Sequence, residues 1–231
     1  MENHIKKLFL DNGFDLSEDK AHMFAEYYSI LAERSKSINL TSVIDFNEVC
    51  IKHFLDSASG LEFVSGSCCD VGSGAGFPAI PLKILKPELQ MLMLDSVNKK
   101  VTFLSDVINL LLLENTSALH IRAEDAARLR YREIFDTVTA RAVARLNVLS
   151  EYCLPLVKVG GVFVAYKGSA EDEIAQSKRA LKILGGEIAE VKRFELPDGA
   201  GTRSIIVIKK VKPTPLKYPR GKGKERSAPL S

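Results

Sequence analysis

The chain is poor in cysteine: Cys50, Cys68, Cys69 and Cys153 are the only four in 231 residues, and no two form a C-x-x-C pair. That excludes the ligand spacing of a zinc ribbon and the thioredoxin redox motif, so no metal is expected. The four are read as buried free thiols in a reducing cytoplasm. Long apolar runs are also missing. One such run, the leucines at 110–113, stops at Glu114, far short of the about 18 residues of a membrane span. Residues 1–13 carry His4, Lys6 and Lys7 but no apolar h-region and no small-residue cleavage site. No secretory signal is read there, and the expected location is cytoplasmic. Net charge is small as well, at +3, but that value is an average over unlike parts. Residues 203–226 hold nine basic side chains and one acidic, for +8, and the remainder carries −5. With 46% hydrophobic and 26% charged residues the composition is that of an ordinary globular domain. A chain this long buries roughly 70% of its unfolded surface.

Two amphipathic helices are predicted first, over residues 2–11 and 18–36. Ser17 is the expected N-cap of the second, with Glu18 and Asp19 suited to its positive first turn. Asp45 and Glu48 look like a capping box opening a third helix to about residue 57. From residue 67 the pattern changes to alternating strand and helix. Strands are predicted at 68–71, 90–94, 118–122, 135–139 and 161–166, each followed by helical spacing. Two further strands, about 187–195 and 204–210, have no helix between them and must pair antiparallel. The expected fold is α/β: a Rossmann-like, mostly parallel seven-stranded sheet with helices on both faces and an antiparallel terminal hairpin. Three parts are expected: an N-terminal helical extension packed on the core (1–60), the core (61–211) and a basic, flexible tail (212–231). Proline, glycine and lysine in the last part argue against regular structure.

The strongest local signal is Asp70-Val71-Gly72-Ser73-Gly74-Ala75-Gly76-Phe77-Pro78, between the first strand and its helix. Glycines there permit a sharp turn and close approach of a ligand to the backbone. The dinucleotide fingerprint is G-x-G-x-x-G, but here Phe77 stands where its last glycine belongs. G-x-G-x-G behind an acid resembles the S-adenosylmethionine loop of methyltransferases instead. Asp95 ends the second strand and can accept hydrogen bonds from both ribose hydroxyls of a nucleoside, or simply cap the next helix. Arg122-Ala123-Glu124-Asp125 follows the third strand, and Ala140-Arg141-Ala142 the fourth. An arginine between alanines suits a carboxylate or phosphate contact.

Together with Asn39-Leu40-Thr41-Ser42, His53-x-x-Asp56-Ser57 and Tyr166-Lys167-Gly168, these pieces make the chain resemble the bacterial ribosomal RNA small subunit methyltransferase G family (glucose-inhibited division protein B). The resemblance runs from about Leu8 to the tail. It implies a class I S-adenosylmethionine-dependent enzyme that methylates guanine N7 in 16S ribosomal RNA. It also implies cofactor contacts at Gly72, Phe77, Ala123, Glu124 and Arg141, to which the general fold pattern adds Gly74, Gly76 and Asp95. Two departures stand out. Ala79 replaces a frequent glycine, and the stretch before Asn39 lacks a tryptophan, as does the whole chain.

The chain has no Asn/Asp-Pro-Pro-Tyr/Phe tetrapeptide of the exocyclic-amine methyltransferases and no evident cysteine nucleophile for carbon methylation. Guanine N7 has a free lone pair and needs no deprotonation, which fits a site without a general base. No catalytic residue is assigned. Arg141 is the positioning candidate, and the roles of His53 and Asp56 stay open. Lys167, Arg203, Lys209, Lys217 and Arg220 are the expected RNA contacts, by phosphate neutralisation. Loss of the tail is then expected to weaken RNA binding and leave cofactor affinity almost unchanged. The expected partner is 16S ribosomal RNA or a small-subunit particle, and the expected state a monomer without metal or membrane association. Two other readings are a nicotinamide-dependent oxidoreductase and a non-catalytic RNA-binding assembly factor.

Overall fold

A computed structural model of the chain describes residues 1–230. Seven strands form one sheet in the order β3-β2-β1-β4-β5-β7-β6. They are β1 (Ser67–Val71), β2 (Gln90–Asp95), β3 (Thr116–His120), β4 (Phe135–Arg141), β5 (Val157–Lys167), β6 (Gly186–Glu195) and β7 (Thr202–Lys210). β1 to β5 pair in parallel, and β7 pairs antiparallel with both β5 and β6. Register aligns Val71 with Leu94 and Ala140, Arg141 with Tyr166, and Lys167 with Ser204. The carboxyl ends of β1, β2, β4 and β5 and the start of β7 therefore share one edge. Strand order reverses between β1 and β4, the switch point at which such sheets take ligands.

The helices are α1 (Glu2–Asp11), α2 (Glu18–Ser35), α3 (Phe46–Val49), α4 (Asp56–Ala58), α5 (Ala79–Leu85), α6 (Asn98–Leu110), α7 (Ala123–Arg128), α8 (Leu146–Cys153), α9 (Glu171–Leu184) and α10 (Lys224–Ser227). Ser17 caps α2 by accepting from the Lys20 amide at 3.3 Å, and Asp45 caps α3 by accepting from the Glu48 amide at 3.0 Å. β1 is buried on both faces because each is covered. Cys68 joins the core beneath α1, α2, α5 and α6, whereas Cys69 joins the core beneath α7, α8 and α9. All four cysteines are buried and free. Burial pushes the Cys50 and Cys68 thiols up to about 12, so they stay protonated. The N-terminal helices enter the first core through an aromatic chain, Phe9 to Phe24 at 5.1 Å, Phe24 to Phe54 at 4.9 Å and Tyr27 to Phe77 at 5.5 Å. No described helix is long and apolar enough to cross a membrane.

Three expectations need correction. β3 lies two residues earlier than the sequence suggests, at Thr116–His120. A two-residue shift keeps the alternation of faces, so the hydrophobic pattern cannot detect it. The run from Phe46 to Ala58 is helical but not uniformly α, since Cys50–Leu55 is a π-helical turn. The third correction concerns residues 211–230, which are not a free tail but a strap packed on the domain. Lys210 is fully buried, with Nζ 2.7 Å from Thr214 Oγ1 and 2.9 Å from Glu133 Oε1. Arg132 donates to the carbonyls of Thr214 at 2.6 Å and Tyr218 at 2.9 Å, and Arg128 to that of Pro219 at 2.9 Å. Arg220 grips Glu151 through two nitrogens, at 2.9 and 2.7 Å, and Glu225 is fully buried. Composition argued for disorder because a segment rich in Pro, Gly and Lys cannot form its own ladder. Here arginines and carboxylates of the body satisfy its backbone and charges instead.

Candidate functional site

The glycine loop after β1 is built by its own hydrogen bonds. The Gly72 and Ser73 amides donate to the Leu94 carbonyl at 2.8 and 3.1 Å, and those of Gly76 and Phe77 to the Ser73 carbonyl at 2.7 and 3.1 Å. The Gly74 amide donates to Asp95 Oδ2 at 2.9 Å. Gly72 has φ +71°, and a Cβ there would lie 2.7 Å from Val143 Cγ2. Gly76 has φ +98°, and a Cβ there would lie 2.8 Å from the Tyr27 hydroxyl, which itself donates to the Ala75 carbonyl. Helix α2 thus holds the loop from behind, and only glycine leaves room for it. The second Asp95 oxygen accepts from the Val97 amide at 2.8 Å. Asp95 therefore ties the loop to the start of α6, the structural role that the sequence left open beside ribose binding.

In front of the loop lies a cleft of about 340 Å³, lined among others by Gly72, Asp95, Ala123, Glu124, Tyr152 and Arg226. Behind Gly72, Asp70 is fully buried; its Oδ1 accepts from Thr139 Oγ1 at 2.6 Å, while Oδ2 has no hydrogen-bond partner among the described residues. Burial pushes its carboxyl up to about 7 against the hydrogen bonds and the Arg141 charge that favour ionisation.

A second depression of about 350 Å³ opens beside the first, lined by Lys52, His53, Asp56, Arg141, Lys167 and Arg203 among others. Asp56 is its hub. Oδ2 receives Arg141 Nη1 at 2.7 Å and Oδ1 lies 3.4 Å from Arg203 Nε. Arg141 also donates to the Lys52 carbonyl at 3.2 Å, and its guanidinium lies 5.0 Å from the centre of the Phe77 ring. His53 stacks on that ring at 4.5 Å, and its Nε2 is 2.9 Å from Thr41 Oγ1. Burial, helped by the Arg141 charge, holds His53 down at about 4, so it is neutral near pH 7. The π-helical turn puts His53 and Asp56 on this wall together, and such turns recur at functional sites. Ala142, next to Arg141, has φ +56°, a conformation that non-glycine residues hold only where surroundings enforce it. Lys167 donates to the Ala144 carbonyl at 2.6 Å and pairs with Glu173 at 2.7 Å.

The structure thus brings Gly72, Asp95, Ala123 and Glu124 to the cleft and Arg141, Lys167 and Arg203 to the basic pocket. Gly74 and Gly76 shape the loop, and Phe77 stands against Arg141 and His53. Arg141, expected among the cofactor contacts, lines the neighbouring pocket instead. Lys209 and Lys217 are exposed, Lys209 lies near the other end of β7 from Arg203, and neither lysine lines either depression. Arg220 is held on Glu151, and neither depression includes it. Residues missed from sequence are Tyr27, Lys52, Val143, Tyr152 and Arg226. Tyr27 and Tyr152 look like ordinary core positions of amphipathic helices, and Arg226 sits in a segment whose composition pointed to disorder.

The loop also bears on ligand class. A pyrophosphate site needs backbone N–H groups free to donate, but the amides of Gly72, Ser73, Gly74, Gly76 and Phe77 are already engaged. A ligand without phosphates fits this cradle better.

Comparison with known proteins agrees. The family model described as rRNA small subunit methyltransferase G matches residues 20–205. The protein named ribosomal RNA small subunit methyltransferase G of Lactobacillus johnsonii is 49% identical over 226 residues, covering 94% of this chain and 95% of that protein. Its namesake in Staphylococcus aureus is 46% identical over 225 residues, covering 95% and 94%. Among solved structures, the ribosomal protein L11 methylase of Lactobacillus delbrueckii subsp. bulgaricus is similar with TM-score 0.55 at 18% identity, over 70% of this chain and 80% of that one. A SAM dependent methyltransferase from Aquifex aeolicus has TM-score 0.52 at 18% identity, over 71% and 93%. At such identities the structural likeness speaks to fold alone.

Proposed function

The chain belongs to the rRNA small subunit methyltransferase G family, and on that premise we propose that it methylates guanine N7 in 16S ribosomal RNA, acting as a cytoplasmic monomer. It is a methyltransferase with ribosomal RNA as substrate, and S-adenosylmethionine is the donor in this reading. The nicotinamide reading falls, because the family is one of methyltransferases and the loop amides are engaged within the protein.

The observation that carries the reading is the pairing of two unlike depressions at one sheet edge. The residues of the cleft fit the donor. Asp95 and Glu124 offer carboxylates to a nucleoside, Ala123 offers a small wall beside the base, and the glycine cradle asks for no phosphate. Bound there, S-adenosylmethionine supplies an electrophilic methyl group on a sulfonium. The basic pocket suits the acceptor: of its four cations Arg141 and Arg203 share Asp56, while Lys52 pairs with Glu48 and Lys167 with Glu173, which leaves one cation in excess at a face suited to an RNA phosphate backbone. Arg141, fixed by Asp56 and the Lys52 carbonyl, is the positioning residue of this reading. Guanine N7 has a free lone pair, so neutral His53 has no proton to remove and serves to orient the Phe77–Arg141 wall. Rate enhancement then comes from alignment, an orientation effect. A non-catalytic assembly role would leave the pocket chemistry without use.

Mapping N7-methylguanine in 16S RNA from cells with and without the protein tests this reading. The modification disappears without the protein and returns when purified protein and S-adenosylmethionine are added to the undermodified RNA. An unchanged N7-methylguanine map would overturn it.

A further inference from the structure

The strap formed by residues 211–230 starts at the sheet edge remote from the site, where Lys210 ends β7, and finishes at the cofactor cleft. Its path is fixed at several places. Arg132 and Arg128 hold its carbonyls, Glu151 holds Arg220, and Glu225 is fully buried, accepting from the Gly221 amide. Beyond that anchorage, Gly223 and Arg226 stand in the wall of the cleft that also contains Asp95, Glu124 and Tyr152. Arg226 and Tyr152 line the same cleft. Arg226 shares no lining residue with the basic pocket, so its guanidinium is offered to the small-molecule cleft and not to the RNA pocket.

We propose that the end of the strap, through Gly223 and Arg226, is part of the cofactor site and contacts the adenosine portion, so that cofactor and strap stabilise each other. The inference rests on the reading of the cleft given above. Its chemistry is that of the guanidinium: a planar, always charged group that stacks on a purine ring and donates to its ring nitrogens. Cleft and strap together leave a nucleoside bounded by Ala123 on one element and by residues of the chain's last turn on another. A freely mobile tail would be irrelevant to cofactor affinity, and this strap is not. Coupling is reciprocal, so the factor by which the strap tightens cofactor binding is the factor by which cofactor suppresses opening of the strap.

Two measurements on the full-length chain test this, with S-adenosylhomocysteine as the probe. Calorimetry on Arg226→Ala should show roughly tenfold weaker binding, the loss of one charge-assisted contact, with Arg226→Lys in between. Arg226 is exposed, so its removal should leave the melting temperature of the free protein unchanged. Trypsin cleavage of the wild-type strap after Lys222 and Lys224 should slow about tenfold when the probe is saturating, a readout that needs no variant. Unchanged affinity of Arg226→Ala together with unaltered cleavage would overturn the inference and leave the functional reading intact. Failure of the wild-type protein to bind the probe at all would overturn the functional reading and the inference with it.

Discussion

The two depressions at the carboxyl edge differ in how each is made. The cleft proposed for the cofactor is a backbone object. Its loop amides are tied to Leu94, Ser73 and Asp95, and its charged groups, Asp95 and Glu124 with Arg122 and Arg226, are balanced in sign. The pocket proposed for RNA is a side-chain object, with Arg141 and Arg203 organised around Asp56, Lys52 and Lys167 held by Glu48 and Glu173, and two aromatic neighbours. A donor with several charges of both signs is matched by balance, and a polyanion by excess. The separation is sharp enough that single substitutions should affect one depression and spare the other.

The largest effect is expected at Asp56. Asp56→Ala leaves Arg141 and Arg203 facing each other without their counter-ion, a change of about 3 kcal/mol for a buried pair. Methyl transfer should collapse while affinity for S-adenosylhomocysteine stays within about twofold of wild type. A parallel loss of cofactor affinity, by calorimetry, would break the separation. Next comes Asp95→Asn, which presents an NH₂ group or a weaker acceptor to the Gly74 amide. Cofactor affinity should fall about thirtyfold, roughly 2 kcal/mol, with RNA affinity in a filter-binding assay unmoved.

A third effect is on pH. Asp70 titrates near 7 in the folded protein and near 3.8 unfolded, so its protonated form favours folding. That stability is full below about pH 4 and is lost as pH rises to about 7. His53 works in the opposite sense: held at about 4 against 6.5 unfolded, it loses stability as pH falls below 6.5. Asp70→Asn should therefore gain stability relative to wild type on going from pH 4 to 7, by at most about 1.4 kcal/mol per pH unit. Chemical denaturation across that range should show it, and a flat difference would refute the buried titration. The smallest effect is at Arg203. Removing one phosphate-facing cation should lower the salt slope of RNA binding by about 0.7 for single-stranded RNA, with cofactor binding unaltered. An unaltered slope would move the RNA away from this pocket.

Much of this was legible from residue order. Strand–helix alternation fixed the sheet and its terminal hairpin, because period two and period 3.6 are distinct in a chain without long apolar runs. Glycines at 72, 74 and 76 marked the loop because positive φ leaves few other choices. Two kinds of fact were not legible. One is partner choice: Arg141 follows β4 as expected, yet whether it faces cofactor or acceptor depends on Asp56, which lies 85 residues away and meets it only through the fold. The π-helical turn that presents Asp56 leaves no sign in the hydrophobic pattern. The other is the strap. Its prolines, glycines and lysines look like disorder when taken alone, and only Glu133, Glu151 and Arg132 on the body give them something to bind. Of the nine cations of residues 203–226, Arg203, Lys210 and Arg220 are held by Asp56, Glu133 and Glu151, and net charge by segment overstated what remained for RNA.

The self-bonded glycine loop has a kinetic corollary. With its amides engaged and Tyr27 behind it, the loop is already in its working shape before anything binds, so no loop-ordering entropy opposes the donor. Cofactor capture at the loop should follow single-step kinetics whose association rate scales with concentration, without the slow conformational phase of a site that folds around its ligand.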